Sequence, residues 1–161
     1  MPEGEPAGSA APLPRSPESA PRVLLAFDFG QRRIGVACGD TVSRSASPLE
    51  AVPAGKNGPR WELIVKLMRD WQPDLAVVGL PYNVDGSDSD MTGAARGFAA
   101  ELKRRFLLDV ALVDERYSSR EAEARLKSAR KSGERRRRVT GGDVDAEAAC
   151  IILERWFTEK T

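Results

Sequence analysis

Three acidic positions stand where this chain could assemble a reaction centre. Asp28 closes the apolar run Val23-Leu24-Leu25-Ala26-Phe27, and Glu115 follows Asp114 directly after Val110-Ala111-Leu112-Val113. Asp145 falls at the expected start of the last helix, with Asp143 just before it. Carboxylate oxygens are hard ligands that suit magnesium or manganese. A cluster of them can serve two-metal phosphodiester hydrolysis, in which one ion activates water and the other stabilises the leaving oxygen. Taken singly, each residue also has a plain reading. An Asp at a strand end often forms a turn, and an Asp ahead of a helix is more often an N-cap than a ligand. Asp28 resists that reading, because it adjoins a buried run and is costly there without partners or metal. The joint placement of all three favours a site.

The sequence contains no histidine. That excludes Ser-His-Asp and Cys-His catalysis and the usual His-containing zinc sites. Hydrolysis would have to rely on carboxylates, lysine or metal-activated water. Cys38 and Cys150 lie far apart without a C-x-x-C pattern and read as buried thiols.

The elements that must position these residues follow from periodicity. Residues 1–21 hold six of the eleven prolines and are expected to form a disordered tail, leaving residues 22–161 as one domain. Residues 23–27 and Ile34 to Gly39 read as two strands joined by a turn at Gly30-Gln31-Arg32-Arg33, too close together to be parallel. A third strand is expected at Ser47–Val52, with Pro48 suggesting a sheet edge. Trp61, Ile64, Val65, Met68 and Trp71 repeat at helical spacing before Pro73. Leu75–Leu80 then reads as a buried strand, followed by a Gly/Asp/Ser loop from Pro81 to Asp90 and a helix over 92–106. A fifth strand covers Val110–Val113. Ser118 or Ser119 caps a helix to about Ser128, Lys131 to Thr140 reads as a loop, and the last helix carries Ala148, Ile151, Ile152 and Trp156. The expectation is an α/β fold: a five-stranded mixed sheet, three strands antiparallel and then parallel strands, with helices on both faces. That order is the RNase H-like arrangement. Its first and fifth strands run parallel, so Asp28 and Glu115 fall near one carboxyl edge, where ligands favour α/β sheets.

Other residues could hold a substrate. Gly30, Gly35 and Gly39 allow close backbone approach, and Arg32 and Arg33 at the first turn could take phosphates. Asp85 and Gly86 sit in the polar loop after the fourth strand, while Arg116 and Ser118 flank the Glu115 segment. The formal net charge of +1 conceals segregation: Arg120 to Arg138 holds nine basic and three acidic residues, ending in Arg135, Arg136, Arg137 and Arg138. Such a run is either a solvated face or a phosphate contact that releases counterions. No apolar stretch reaches the roughly 20 residues needed to span a bilayer, and the first residues lack signal-peptide character, so a cytoplasmic protein is expected.

These residues resemble a known family. Asp28-Phe29-Gly30-Gln31-Arg32-Arg33-Ile34-Gly35-Val36-Ala37 is similar to the D-x-G-x-(K/R)-R-I-G-x-A opening of the YqgF family, also called RuvX. Three further blocks match in order: Gly79-Leu80-Pro81 with Asp85-Gly86, then Asp114-Glu115-Arg116-Tyr117-Ser118-Ser119, then Val144-Asp145 running into 149–154. Together they cover about residues 23–157. The resemblance implies an RNase H-like nuclease whose catalytic, metal-binding set matches Asp28, Glu115 and Asp145, with Asp143 as an accessory ligand candidate. It also implies processing of the 5′ end of pre-16S rRNA in ribosome biogenesis, with ribosomal particles as candidate partners. The family's other description, Holliday junction resolvase, implies branched DNA and a homodimer with two sites, whereas end-trimming of RNA works from a monomer. Gln31 and Tyr117 depart from the family pattern, where Lys or Thr and Leu are frequent.

Two competing readings have their own signatures. A D-x-G-x-x-x-x-G strand-turn-strand also binds ATP phosphates in sugar kinases and actin-like ATPases, but those proteins need two such domains. A non-catalytic RNA- or ribosome-binding module would bind RNA without cutting it, insensitive to Asp28→Asn.

Overall fold

A computed structural model describes residues 22–116, 118–131 and 140–159 of the 161-residue chain. The tail assigned to residues 1–21 lies outside the described residues. Among the described residues, six strands form one sheet: β1 (Val23–Phe29), β2 (Arg33–Asp40), β3 (Ala46–Gly55), β4 (Gly58–Pro59), β5 (Leu75–Leu80) and β6 (Asp109–Asp114). Their order is β4-β3-β2-β1-β5-β6. Strands β1 to β4 pair antiparallel in succession, whereas β1–β5 and β5–β6 are parallel.

The expected count of five strands is therefore corrected to six. The additional strand, β4, is only two residues long and pairs with Ala54 and Gly55. Its turn is made by Lys56-Asn57, and Gly58, the first residue of β4, takes φ 88°, a conformation that glycine adopts without steric cost. This hairpin covers only the end of β3, so the stretch around Pro48 still faces outward.

Among the described residues, four helices complete the fold: α1 (Trp61–Trp71), α2 (Thr92–Phe106), α3 (Ser118–Lys131) and α4 (Gly141–Glu159). Helix α1 stops where Gln72 turns left-handed at φ 46° and donates its N–H to Met68 O at 2.9 Å, immediately before Pro73. The period-2 alternation of β1 divides the core. Leu25 and Phe27 point to the layer of α1 and α2, against Ile64, Phe98 and Leu102. Leu24 and Ala26 point to the opposite layer, against Ala149, Cys150, Ile152 and Leu153 of α4. Each large apolar side chain buried this way contributes about 1.5–3 kcal/mol.

Helix α4 is sandwiched between the sheet and α3, which packs Ala122 on Ala148 and Ile151. That explains its apolar character on more than one face. Strand β5 is buried along its whole length, as expected for a parallel strand covered on both sides. Both cysteines are free and buried, and burial chiefly pushes the Cys150 thiol up to about 12, so it stays protonated and unreactive. Among the described residues, no helix is long and apolar enough to cross a membrane.

Candidate active site

The alternation that places Leu24 and Ala26 under α4 puts Asp28 on the same side. Val113 also packs under α4, so Glu115, two residues on, follows it to that face. Asp28 occupies the middle of a row. Its antiparallel partner on β2 is Gly35, and the β1–β5 register, one step beyond Phe27↔Val78, sets Gly79 on its other side.

Both glycines lack the side chain that would close the site. A Cβ on Gly35 would overlap the backbone carbonyl of Asp145 and stand 3.0 Å from the Ala146 nitrogen, so this glycine lets the first turns of α4 lie directly on the sheet. A Cβ on Gly79 would come within 2.9 Å of Glu115 Oε2 and overlap Ile152. The space above Gly79 is thus filled by the Glu115 carboxylate reaching across β5 toward Asp28.

The Asp28 and Glu115 carboxyls are hydrogen-bonded to each other, and Glu115 is only 6% exposed. Burial first, then the charge of Glu115, the hydrogen bond to it and the charge of Asp145 push the Asp28 carboxyl well above the usual carboxylate range. The two carboxyls thus stand against each other on the floor of a cleft of about 550 Å³. Arg32, Arg33, Asp90 and Asp145 line the same cleft.

Asp145 is not the helix cap. Helix α4 begins at Gly141, earlier than expected, and Thr140 and Asp143 form a reciprocal cap: Thr140 N–H donates to Asp143 Oδ2 at 3.0 Å and Asp143 N–H to Thr140 Oγ1 at 3.2 Å. This leaves Asp145 free of capping, one turn into the helix. Its Oδ2 instead accepts from Arg33 Nε at 2.7 Å. Asp143 lines a different cleft, between β3 and α4, and does not join Asp28 and Glu115.

Hard oxygen donors held close together in a cleft suit a divalent ion, which binds carboxylates in their ionised form. Among the described residues, no three acidic, His or Cys side chains converge closely enough to hold an ion as placed. Asp145 lines the same cleft as Asp28 and Glu115 and is engaged there by Arg33.

The remaining candidates divide clearly. Gly30 lines the cleft beside Arg32 and Arg33. Asp85 accepts from Ser87 N–H at 2.9 Å and from its hydroxyl at 2.6 Å; Ser87 chiefly, with a smaller contribution from Arg116, holds the carboxyl below its usual range. Gly86 takes φ 90° in the same turn. Neither lines the cleft. Arg116 folds back on Asp114, Nε to Oδ2 at 2.9 Å, and donates through Nη1 to Val84 O at 3.2 Å, tying the loop to the end of β6. Ser118 starts α3, and Arg135, Arg136, Arg137 and Arg138 lie outside the described residues. Sequence reasoning missed the part played by Gly79 and the cap at Thr140. The T-x-x-D spacing before the helix is the signal that could have found the cap.

A mixed sheet with apposed acids at the ends of β1 and β6, roofed by a helix bearing a third, defines a carboxylate-centred α/β protein of RuvC-like fold. The Thermus thermophilus RuvC structure superposes over 86% of this chain and 95% of that one, with a TM-score of 0.51 at 14% identity. T. thermophilus RuvC in complex with Holliday junction substrate gives 0.54 at 16% identity, over 86% and 94%. These likenesses speak for the fold alone. The model of the RuvX family of Holliday junction resolvases matches residues 22–159, and the chain belongs to that family. A relative from Edwardsiella ictaluri named "Putative pre-16S rRNA nuclease" is 49% identical over 137 residues, 85% of this chain and 95% of its own length. A relative of the same name from Yersinia enterocolitica is 47% identical over 141 residues, covering 88% and 98%.

Proposed function

We propose that this protein is a metal-dependent nuclease that trims the 5′ end of pre-16S rRNA through Asp28, Glu115 and Asp145. The observation that carries the proposal is the buried, directly apposed pair of Asp28 and Glu115 carboxyls on the floor of a cleft rimmed by arginines. A structural ion pair would have set a cation between them; here two acids are held together, as at sites that bind metal or pass protons. The names of relatives at 47–49% identity support the choice of substrate.

Asp28, Glu115 and Asp145 would hold magnesium or manganese, which when bound supplies activated water and neutralises charge on the phosphate. The chain's own groups do the rest. Asp28 and Glu115 present their carboxylates side by side on the cleft floor. Arg32 and Arg33 draw the phosphate into the cleft as bidentate donors. A phosphate reaching Arg33 competes with Asp145 for the same guanidinium, and so frees that carboxylate to turn inward. The buried floor excludes bulk water and strengthens each of these interactions.

The second reading, incision of branched DNA, is favoured by the family description. Cleavage of a pre-16S rRNA 5′ fragment and of a synthetic four-way junction, side by side with magnesium or manganese, separates the two. Preferential cutting of the RNA supports the proposal. Symmetric incision of the junction alone replaces it with the second reading. Binding of RNA without cleavage points to a non-catalytic module.

A further inference from the structure

Arg155, near the end of α4, reaches the backbone on both sides of Glu115. Its Nη1 donates to Asp114 O at 2.9 Å and its Nη2 to Arg116 O at 3.0 Å. The Glu115 N–H donates in turn to Leu80 O at 3.1 Å on β5. The peptide entering Glu115 is therefore bonded at both ends, and the carbonyl one residue further on is bonded as well. This matters because β6 is the last strand of the sheet and Glu115 lies beyond its end. Among the described residues no further strand lies outside it to hold these carbonyls, and a residue past a strand end otherwise takes its direction from a loop.

We propose that Arg155 is a positioning residue for Glu115, fixing the direction in which its carboxylate crosses Gly79 to meet Asp28. The proposal rests on the nuclease reading of that site. A planar guanidinium can donate two bonds in a fixed fork, which a lysine ammonium cannot reproduce. Arg155 is itself held, because Glu121 on α3 accepts from its Nη2 at 3.4 Å. Glu121 also pairs with Arg125 at 3.5 Å, which reaches Glu154 of α4 at 2.7 Å and Glu147 at 3.2 Å. Helix α4 thus supplies one acid of the site directly, as Asp145, and aims a second through Arg155. Groups that orient metal-binding side chains in this way typically change metal affinity or activity by about 10–100-fold when removed.

The test uses the full chain and compares Arg155→Lys and Arg155→Met with wild type. Arg125→Met removes the neighbouring arginine, which donates to no backbone atom at Glu115, and Arg104→Met removes a surface arginine of α2. Four quantities are read: kcat and KM on the rRNA fragment, manganese affinity by titration, thermal stability, and hydrogen exchange at the Glu115 amide. Both Arg155 variants are expected to lose about 10–100-fold in kcat and in manganese affinity, with KM changed by less than about threefold. Glu115 amide exchange should speed up in both, while Arg104→Met leaves exchange, kcat and metal affinity unchanged and Arg125→Met, one step further out in the network, has a smaller effect than either Arg155 variant. Wild-type kcat and unchanged exchange in Arg155→Lys would overturn the proposal, as would a loss that merely tracks unfolding. If wild type itself cuts nothing, the nuclease reading fails, and the exchange rate at Glu115 still decides whether Arg155 positions it.

Discussion

Replacing Gly35 by alanine adds one carbon at the most crowded point of the site. The new Cβ would overlap the Asp145 carbonyl, which is backbone in the first turns of α4 and has no rotamer to yield. Gly35 does not have a positive φ, so the new side chain is not opposed by the local backbone conformation. The helix must lift by about 1 Å, and displacements of that size cost roughly 100-fold in rate when they misplace reacting groups. Overpacking a tight interior costs about 1–3 kcal/mol. The entropy removed from the unfolded chain offsets roughly 0.4–1 kcal/mol of this. A chain of this length shifts its Tm by about 2–4 °C per kcal/mol. The expected variant is folded, melts several degrees lower, and has kcat reduced about 100-fold. Thermal denaturation and single-turnover cleavage of the rRNA fragment read both quantities. A variant with unchanged kcat and Tm would show that α4 does not rest on Gly35 as described.

Gly97→Ala on α2 is the opposite case: nothing lies within 4 Å of the new Cβ, so the variant should gain about 0.5–1 kcal/mol in urea denaturation with activity unchanged. The metal-free protein should lose stability as pH rises from the ordinary aspartate range through the raised value of Asp28, because the folded state binds the proton more tightly than the unfolded state. Urea titrations in chelator across pH should show that slope in wild type and a flatter one in Asp28→Asn. Arg33→Met should raise KM for RNA severalfold while stability changes by under about 1 kcal/mol, since the Arg33–Asp145 pair is partly exposed. Replacing Arg135 to Arg138 by alanine should flatten the salt dependence of RNA binding by about 0.7 in log–log slope for each phosphate no longer neutralised, measured by fluorescence anisotropy.

Periodicity carried most of the fold because its elements follow local rules. The continuous apolar run of β5 and the 3.6-residue repeat of α1 leave little choice. The strand β4 escaped because two residues show no periodicity, although Asn57-Gly58 is itself a hairpin signal. The start of α4 was placed too late for a related reason: Thr140 looked like the end of a loop, whereas it caps the helix with Asp143. That single shift decides the status of Asp145, which is released from capping to face the cleft. The pairing of Asp28 with Glu115 was legible as shared placement at one sheet edge. The roles of Gly79, of Arg33 toward Asp145, and of Arg155 were not, because each depends on an approach between residues far apart in sequence, with no local pattern to mark it.

The most direct test of the central claim is single-turnover cleavage of a pre-16S rRNA 5′ fragment by wild type and Asp28→Asn, each with magnesium and with chelator. Cleavage by wild type that requires the metal and vanishes in a folded Asp28→Asn protein is the predicted result. Equal cleavage by Asp28→Asn, or undiminished cleavage by wild type in chelator, would contradict it.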